Sequence, residues 1–222
     1  MIVVHHLNFS RSTRILWLLE EIGASYTMVS HLREPGFRAP PELRAIHPFG
    51  KAPLIEDAGL VIAESAVILD YIDREYADRR FTPSTDADRL LQAELLYFAE
   101  SALGGVLKTN LYGHLTGGFT GVFETVIAHD TAAALGRIDD LARTPYLFGD
   151  ELTLADIQLG YSLALADYLG LLQPYARATA YLARLQERPA LQRALEKGGP
   201  MTPPRPTADP RTGTANDRTQ PA

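Results

Sequence analysis

The sequence predicts an α/β N-terminal domain joined to an all-α helical-bundle C-terminal domain. Three observations predict it. Short strand-like apolar runs occur only within the first 65 or so residues. Beyond Asp86 the apolar residues recur at helical spacing. Between the two lies a polar break, Arg79-Arg80-Phe81-Thr82-Pro83, that ends in a proline. The expected divisions are residues 1–80, residues 85–197 and a tail at 198–222.

The elements follow in order. Residues 2–7 form an apolar β run with no basic segment ahead of it, so they read as a strand and not a leader. Asn8-Phe9-Ser10-Arg11-Ser12 supplies good helix caps. Ile15, Leu18, Leu19 and Ile22 then share a helical face, and Gly23 is placed to end that helix. Residues 26–29 read as a second strand, 33–41 as a loop and 41–46 as one or two helical turns. Residues 52–56 and 60–63 flank Asp57-Ala58-Gly59, a hairpin signal. A helix follows from Ala66 to Tyr76. The order β-α-β-α-β-β-α is that of a thioredoxin-like fold.

In the second part, Ser84 is the expected cap of one long helix from about Asp86 to Leu111. Residues 112–121 hold four glycines and read as a loop. Further helices are expected at 122–142, from Thr153, at 175–187 and at 190–197. From Gly198 onward there are six prolines, three glycines and no aromatic residue. Such a segment buries too little apolar area to offset its ordering entropy, so disorder is expected there.

Composition narrows the function. The chain has 222 residues, a net charge of −6 and no basic run, which argues against a nucleic-acid partner. Its longest apolar stretch, Ile157 to Leu172, is interrupted by Asp167 and is too short for a membrane span. Cysteine is absent, which excludes disulfide scaffolds and Cys-X-X-Cys redox chemistry. Any thiol chemistry must therefore use a sulfur on a bound molecule. A cysteine-free chain is compatible with a cytoplasmic location.

Several motifs carry chemistry or resemble ones that do. The Ser10–Ser12 turn sits where a strand gives way to a helix, whose N-terminus offers unpaired N–H groups and partial positive charge to an anion. The competing reading is that these serines only cap the helix. Glu64-Ser65 sits at another strand-to-helix junction, with the same two readings. Thr153-Leu154-Ala155-Asp156 fits a capping box, with Leu152 and Ile157 placed as a hydrophobic staple. Asp156 is accordingly a folding residue, and losing it should cost about 1 kcal/mol or more. The six histidines show no metal-ligand spacing, so no metal is expected. Gly117-Gly118-Phe119-Thr120-Gly121 follows no strand and precedes no lysine, so it is not a phosphate loop.

Four local patterns together resemble the cytosolic glutathione S-transferase family, most closely its serine-type bacterial and fungal members. They are residues 6–21 (HLNFSRSTRILWLLEE), 47–55 (HPFGKAPLI), 63–71 (AESAVILDY) and 152–157 (LTLADI). Each is weak alone; their order and spacing are specific, and they span residues 1–197. The resemblance implies a thioredoxin-like glutathione-binding domain, a helical-bundle domain, glutathione as co-substrate and a homodimer. It places the active-site hydroxyl in the first turn, on Ser10 or, second, on Ser12, with the Asn8 amide as a further donor. It makes Ala52-Pro53 a cis-proline turn whose backbone pairs with glutathione; Lys51, just before the turn, can meet a glutathione carboxylate or be a solvated surface lysine. It sets Glu64 against the γ-glutamyl ammonium and Ser65 against the γ-glutamyl carboxylate. Tyr97, Tyr112 and Phe119 fall in the region that walls the second, hydrophobic substrate; a plain core role remains open for each.

The implied chemistry is attack by the thiolate of bound glutathione on a small electrophile, in the service of detoxification. A free thiol has a pKa near 8.5, and lowering it by about two units needs roughly 2.7 kcal/mol. A helix terminus and one charge-assisted hydrogen bond can supply this. Two alternatives stay open: a glutathione-dependent peroxidase or disulfide reductase on the same scaffold, and a non-catalytic binding protein that kept the fold.

Overall fold

The computed structural model describes residues 1–204. Four strands, β1 (Ile2–Leu7), β2 (Tyr26–His31), β3 (Leu54–Asp57) and β4 (Leu60–Ala63), form one sheet in the order β2-β1-β3-β4. The strand β1 runs parallel to β2, in register Ile2 with Tyr26, and antiparallel to β3, with Val4 opposite Ile55. The strands β3 and β4 form a hairpin whose turn holds Ala58 at φ 49° and Gly59 at φ 81°. Two consecutive left-handed residues match the turn type whose twist suits a two-residue hairpin.

Helices α1 (Thr13–Ile22) and α3 (Ser65–Tyr76) pack on one face of the sheet, and α2 (Glu42–Ile46) covers the other. The alternation of side chains along β1 explains the split. Ile2 and Val4 join the main core with α1 and α3, whereas Leu7 packs with Leu43 and Leu54 in a small cluster beneath α2. These elements are the thioredoxin-like unit that the element order predicts.

Six helices complete the described chain: α4 (Asp86–Phe98), α5 (Ala102–Thr116), α6 (Val122–Leu141), α7 (Leu154–Tyr168), α8 (Ala176–Gln186) and α9 (Pro189–Gly198). The helix α7 is the spine. Twelve of its residues are buried, and Asp156 receives hydrogen bonds from the Thr153 N–H at 2.7 Å and the Thr153 hydroxyl at 2.6 Å. The first helix is buried on every side from Thr13 to Glu20 because it lies between the sheet, α3, α7 and α9.

Four expectations need correction. The long helix from Asp86 is two helices, broken at residues 99–101, and each is shorter than the roughly 20 residues that a bilayer requires. Its cap is Thr85, which accepts the Asp88 N–H at 3.1 Å, and not Ser84. The break brings the start of α5 so close to α4 that a Cβ on Gly104 would lie 2.6 Å from the carbonyl oxygen of Ala99. The glycine-rich loop is also shorter than expected: α5 continues to Thr116, and Gly117 ends it at φ 90°. Finally, the segment after residue 197 begins in an ordered contact. Gly198 closes α9 and Met201 is buried in the main core. Residues 205–222, where most of the expected disordered tail falls, lie outside the described residues.

Candidate active site

A cavity of about 410 Å³ opens between the sheet edge, the first turn of α1, and helices α5 and α7. The β1–α1 turn forms its floor. Phe9 takes a left-handed φ of 52°, which is uncommon for a bulky side chain, and turns the chain so that Ser10 faces the cavity. Ser10 is buried, and its Oγ lies 2.7 Å from the Oγ of Ser12 while accepting the Ser12 N–H at 3.2 Å. The N–H groups of Thr13 and Arg14 donate to the carbonyls of Ser10 and Arg11. The amides of Phe9, Ser10 and Arg11 in this turn have no partner among the described residues, and those of Ser10 and Arg11 lie nearest the start of α1. Neither serine caps α1 through its side chain.

Ser12 is not at the cavity. It is fully buried behind Ser10, where its hydroxyl oxygen meets the Leu7 N–H at 3.1 Å and His6 Nδ1 at 2.9 Å. Asn8 is also turned away. Its Oδ1 accepts the Arg33 N–H at 2.8 Å and so fastens the loop after β2 to the β1–α1 turn.

Opposite the floor, the Ala52–Pro53 bond is cis, and both residues line the cavity with Lys51. Glu64 is exposed there at φ 71°, a strained conformation for a residue with a side chain, and it immediately precedes α3. Ser65 is buried. Its hydroxyl accepts from Arg14 at 2.9 Å and from Gln158 at 3.2 Å, and donates to Glu100 at 3.2 Å. That hydroxyl is saturated. What Ser65 can still offer a ligand carboxylate is its backbone N–H at the start of α3.

The predicted apolar wall is corrected in two places. Tyr112 lines the cavity. Tyr97, near the end of α4, points to solvent at 75% exposure. Phe119 folds back against Gly113 and meets Phe123 edge-on, with ring centroids 5.0 Å apart. In their place stand Leu107, Leu111 and Leu165, with Tyr161 from α7. Phe9 and Phe37 stack with centroids 6.4 Å apart, and the Arg33 guanidinium lies 4.3 Å over Phe37. Arg33 also donates to the carbonyls of Asn8, Phe9 and Phe37, so this aromatic wall is pinned in place.

The sequence reading missed the group that joins the two halves. Arg14 is fully buried and donates to Ser65, Glu100 and Ser162; Glu100 also pairs with Arg11 at 3.2 Å. Glu100 reaches α3 only because α4 ends just before it. A strict helical period through residues 86–111 hides that break, although Ser101 and the Gly104-Gly105 pair were signals of it.

Known proteins share this fold. A family model described as the glutathione S-transferase N-terminal domain matches residues 1–74. Glutathione S-transferase 3 of Schizosaccharomyces pombe is 34% identical over 215 residues, covering 89% of this chain and 88% of its own. The chain belongs to the glutathione S-transferase family. Among solved structures, a glutathione S-transferase from Actinobacillus pleuropneumoniae superposes with a TM-score of 0.77 at 31% identity, over 89% of this chain and 93% of that one. A theta-class glutathione S-transferase from Xanthomonas axonopodis pv. citri, solved with glutathione bound, superposes with a TM-score of 0.69 at 28% identity, over 87% and 96%. The sequence resemblance and the fold class it implied are thus correct for this glutathione S-transferase family member.

Proposed function

We propose that this chain is a glutathione transferase: it binds glutathione along the cis-proline edge and activates its thiol for attack on a small, apolar electrophile. The observation that carries the reading is the cavity floor at the start of α1, which Ser10 and Arg11 line with the Ser10 hydroxyl and two amides that have no partner among the described residues. A sulfur there gains these donors and the positive end of α1, which favours its thiolate. The rest of the tripeptide has matching chemistry. The Glu64 carboxylate suits the γ-glutamyl ammonium, the Ser65 N–H its carboxylate, and Lys51 the glycyl carboxylate. The electrophile then lies between the Phe9–Phe37 stack and the apolar residues of α5 and α7.

Exposed apolar side chains on Phe49, Leu60, Val61 and Val67 support a homodimer, since a second copy would remove them from water. A cytoplasmic setting suits a cysteine-free chain that works on a reduced thiol. The alternative activity, reduction of a peroxide or disulfide, uses the same bound thiolate.

Titration of the bound thiol by ultraviolet absorbance tests the reading. Ser10→Ala is expected to raise its pKa by about one to two units, as befits losing a hydrogen bond to a charged group. An unchanged pKa, or no binding of glutathione to the parent protein, refutes it. Chloro-dinitrobenzene assayed beside a hydroperoxide separates transfer from reduction.

A further inference from the structure

We propose that His6 is the acceptor for the thiol proton of bound glutathione, reached through Ser12 and Ser10. This rests on the reading of Ser10 above and adds a destination for the proton.

Hydrogen-bond accounting leads to it. His6 Nε2 lies 2.7 Å from the carbonyl oxygen of Gly198, at the end of α9. A carbonyl only accepts, so Nε2 carries the hydrogen and the neutral ring has a bare Nδ1. That nitrogen lies 2.9 Å from Ser12 Oγ, which must donate to it. Two other acceptors are in reach of that hydroxyl: the Leu7 carbonyl, farther away at 3.2 Å, and Ser10 Oγ at 2.7 Å, which unlike the bare ring nitrogen has a hydrogen of its own to donate. The 2.7 Å contact between Ser10 and Ser12 is then made by the hydrogen of Ser10. In this state Ser10 offers the cavity only a lone pair. It can accept from a thiol and has nothing to give a thiolate.

Ionisation reverses the whole chain. The S–H bond breaks and sulfur keeps the electron pair. Its proton goes to Ser10 Oγ, the Ser10 proton goes to Ser12 Oγ, and the Ser12 proton goes to His6 Nδ1. Ser10 now donates to the thiolate, and the imidazolium donates to Ser12 and to Gly198. Every donor has an acceptor in both states. After the carbon–sulfur bond forms, the proton returns along the same path. It leaves with the departing anion in a substitution, or ends on the carbon beside the new bond in an addition.

The surroundings keep the ring neutral until a thiol arrives. Burial lowers the His6 pKa, the Gly198 carbonyl opposes this, and His31 on β2 lowers it further. His31 itself contacts His5, which bonds to Glu56 on β3. From α9, Lys197 directs its ammonium away to Glu20. No carboxylate bonds to the ring among the described residues. A side chain at residue 198 would push on the contact between His6 and Gly198, because a Cβ there would lie 3.0 Å from His6 Nε2 and 2.6 Å from Leu16 Cδ1.

Nitrogen NMR of the full chain, labelled at histidine, tests the proposal with glutathione and with S-methylglutathione, which has no thiol proton. Glutathione should convert His6 Nδ1 from a bare to a protonated nitrogen, and the S-methyl form should not. Fewer protons should appear in weakly buffered solution than thiolates by absorbance. Ser12→Ala, which cuts the path, should raise the bound-thiol pKa by about one unit, roughly a tenfold fall in the ionisation constant of the bound thiol. It should also make protons released equal thiolates formed, and Ser12→Thr should restore the parent behaviour. A thiolate formed while Nδ1 stays bare overturns the proposal, as does a Ser12→Ala protein that titrates like the parent. A Ser10→Ala protein with an unchanged thiol pKa instead removes the reading beneath it, and the proposal falls with it.

Discussion

The Arg14 guanidinium donates to the Ser65 hydroxyl at 2.9 Å, so a residue of α1 holds the first residue of α3 in place. The same side chain reaches Glu100 and Ser162, which makes it the joint between the sheet-bearing part and the helical part.

Removing that joint should be strongly destabilising. Arg14→Met leaves Glu100 with its main buried partner gone and Ser162 without its donor. Losing one partner of a buried pair costs about 3–5 kcal/mol. Urea unfolding should report a loss in that range. Because Ser65 and Glu64 are adjacent, the KM for glutathione should rise as well.

Asp156 carries more than its cap. Besides Thr153, its carboxylate accepts the Leu147 N–H at 2.9 Å and the Tyr181 hydroxyl. Asp156→Ala therefore strands two further buried donors, and the expected loss rises to about 3 kcal/mol. For a chain of this size that is a fall of about 6–12 °C in Tm, read by thermal unfolding. Activity measured well below that temperature should be close to the parent's.

The clasp between α1 and α9 should weaken in acid. Burial pushes the Glu20 carboxyl up, but hydrogen bonds from Lys197, Tyr26 and Arg193 outweigh it and leave the group below its ordinary value of 4.5. A folded pKa below the unfolded one means that the stabilisation is complete above the unfolded value and fades as pH falls through the folded pKa. Glu20→Gln should accordingly flatten the acid limb of stability against pH, as followed by denaturant midpoints. A parallel acid limb in the variant would show that Glu20 is not the group responsible.

Phe37 should sort electrophiles. It stacks on Phe9 beneath Arg33 and touches none of the groups assigned to glutathione. Aromatic contacts are worth about 0.5–1.5 kcal/mol beyond area. Phe37→Leu should raise the KM for aromatic electrophiles by about twofold to tenfold and leave the thiol titration unchanged.

Much of this molecule was legible in its sequence, because periodicity and turn chemistry report local structure directly. The hairpin at Asp57-Ala58-Gly59 and the box at Thr153–Asp156 are signals confined to a few residues. The turn at Ser10 could be found, yet choosing between its two serines needed the third dimension: both are buried, and only one faces the cavity. The Arg14–Glu100 joint was invisible, since it links residues 86 apart and Arg14 reads as a charge on an amphipathic helix. Tyr97 was misplaced for a related reason. Assuming one unbroken helix carries a residue's direction past a break, and residues 99–101 interrupt the helical period between Tyr97 and α5.

The burial of α1 on all sides has a consequence for how this chain can be cut. Trp17 presses against Gly160 of α7, where a Cβ would come within 2.8 Å of the indole, and Leu16 meets α9 at Gly198. Excising the portion that ends at Tyr76 would lay both side chains bare, trading a sealed seam for a sticky fragment. The sheet-bearing part is no portable cassette, and the whole chain should melt in a single step.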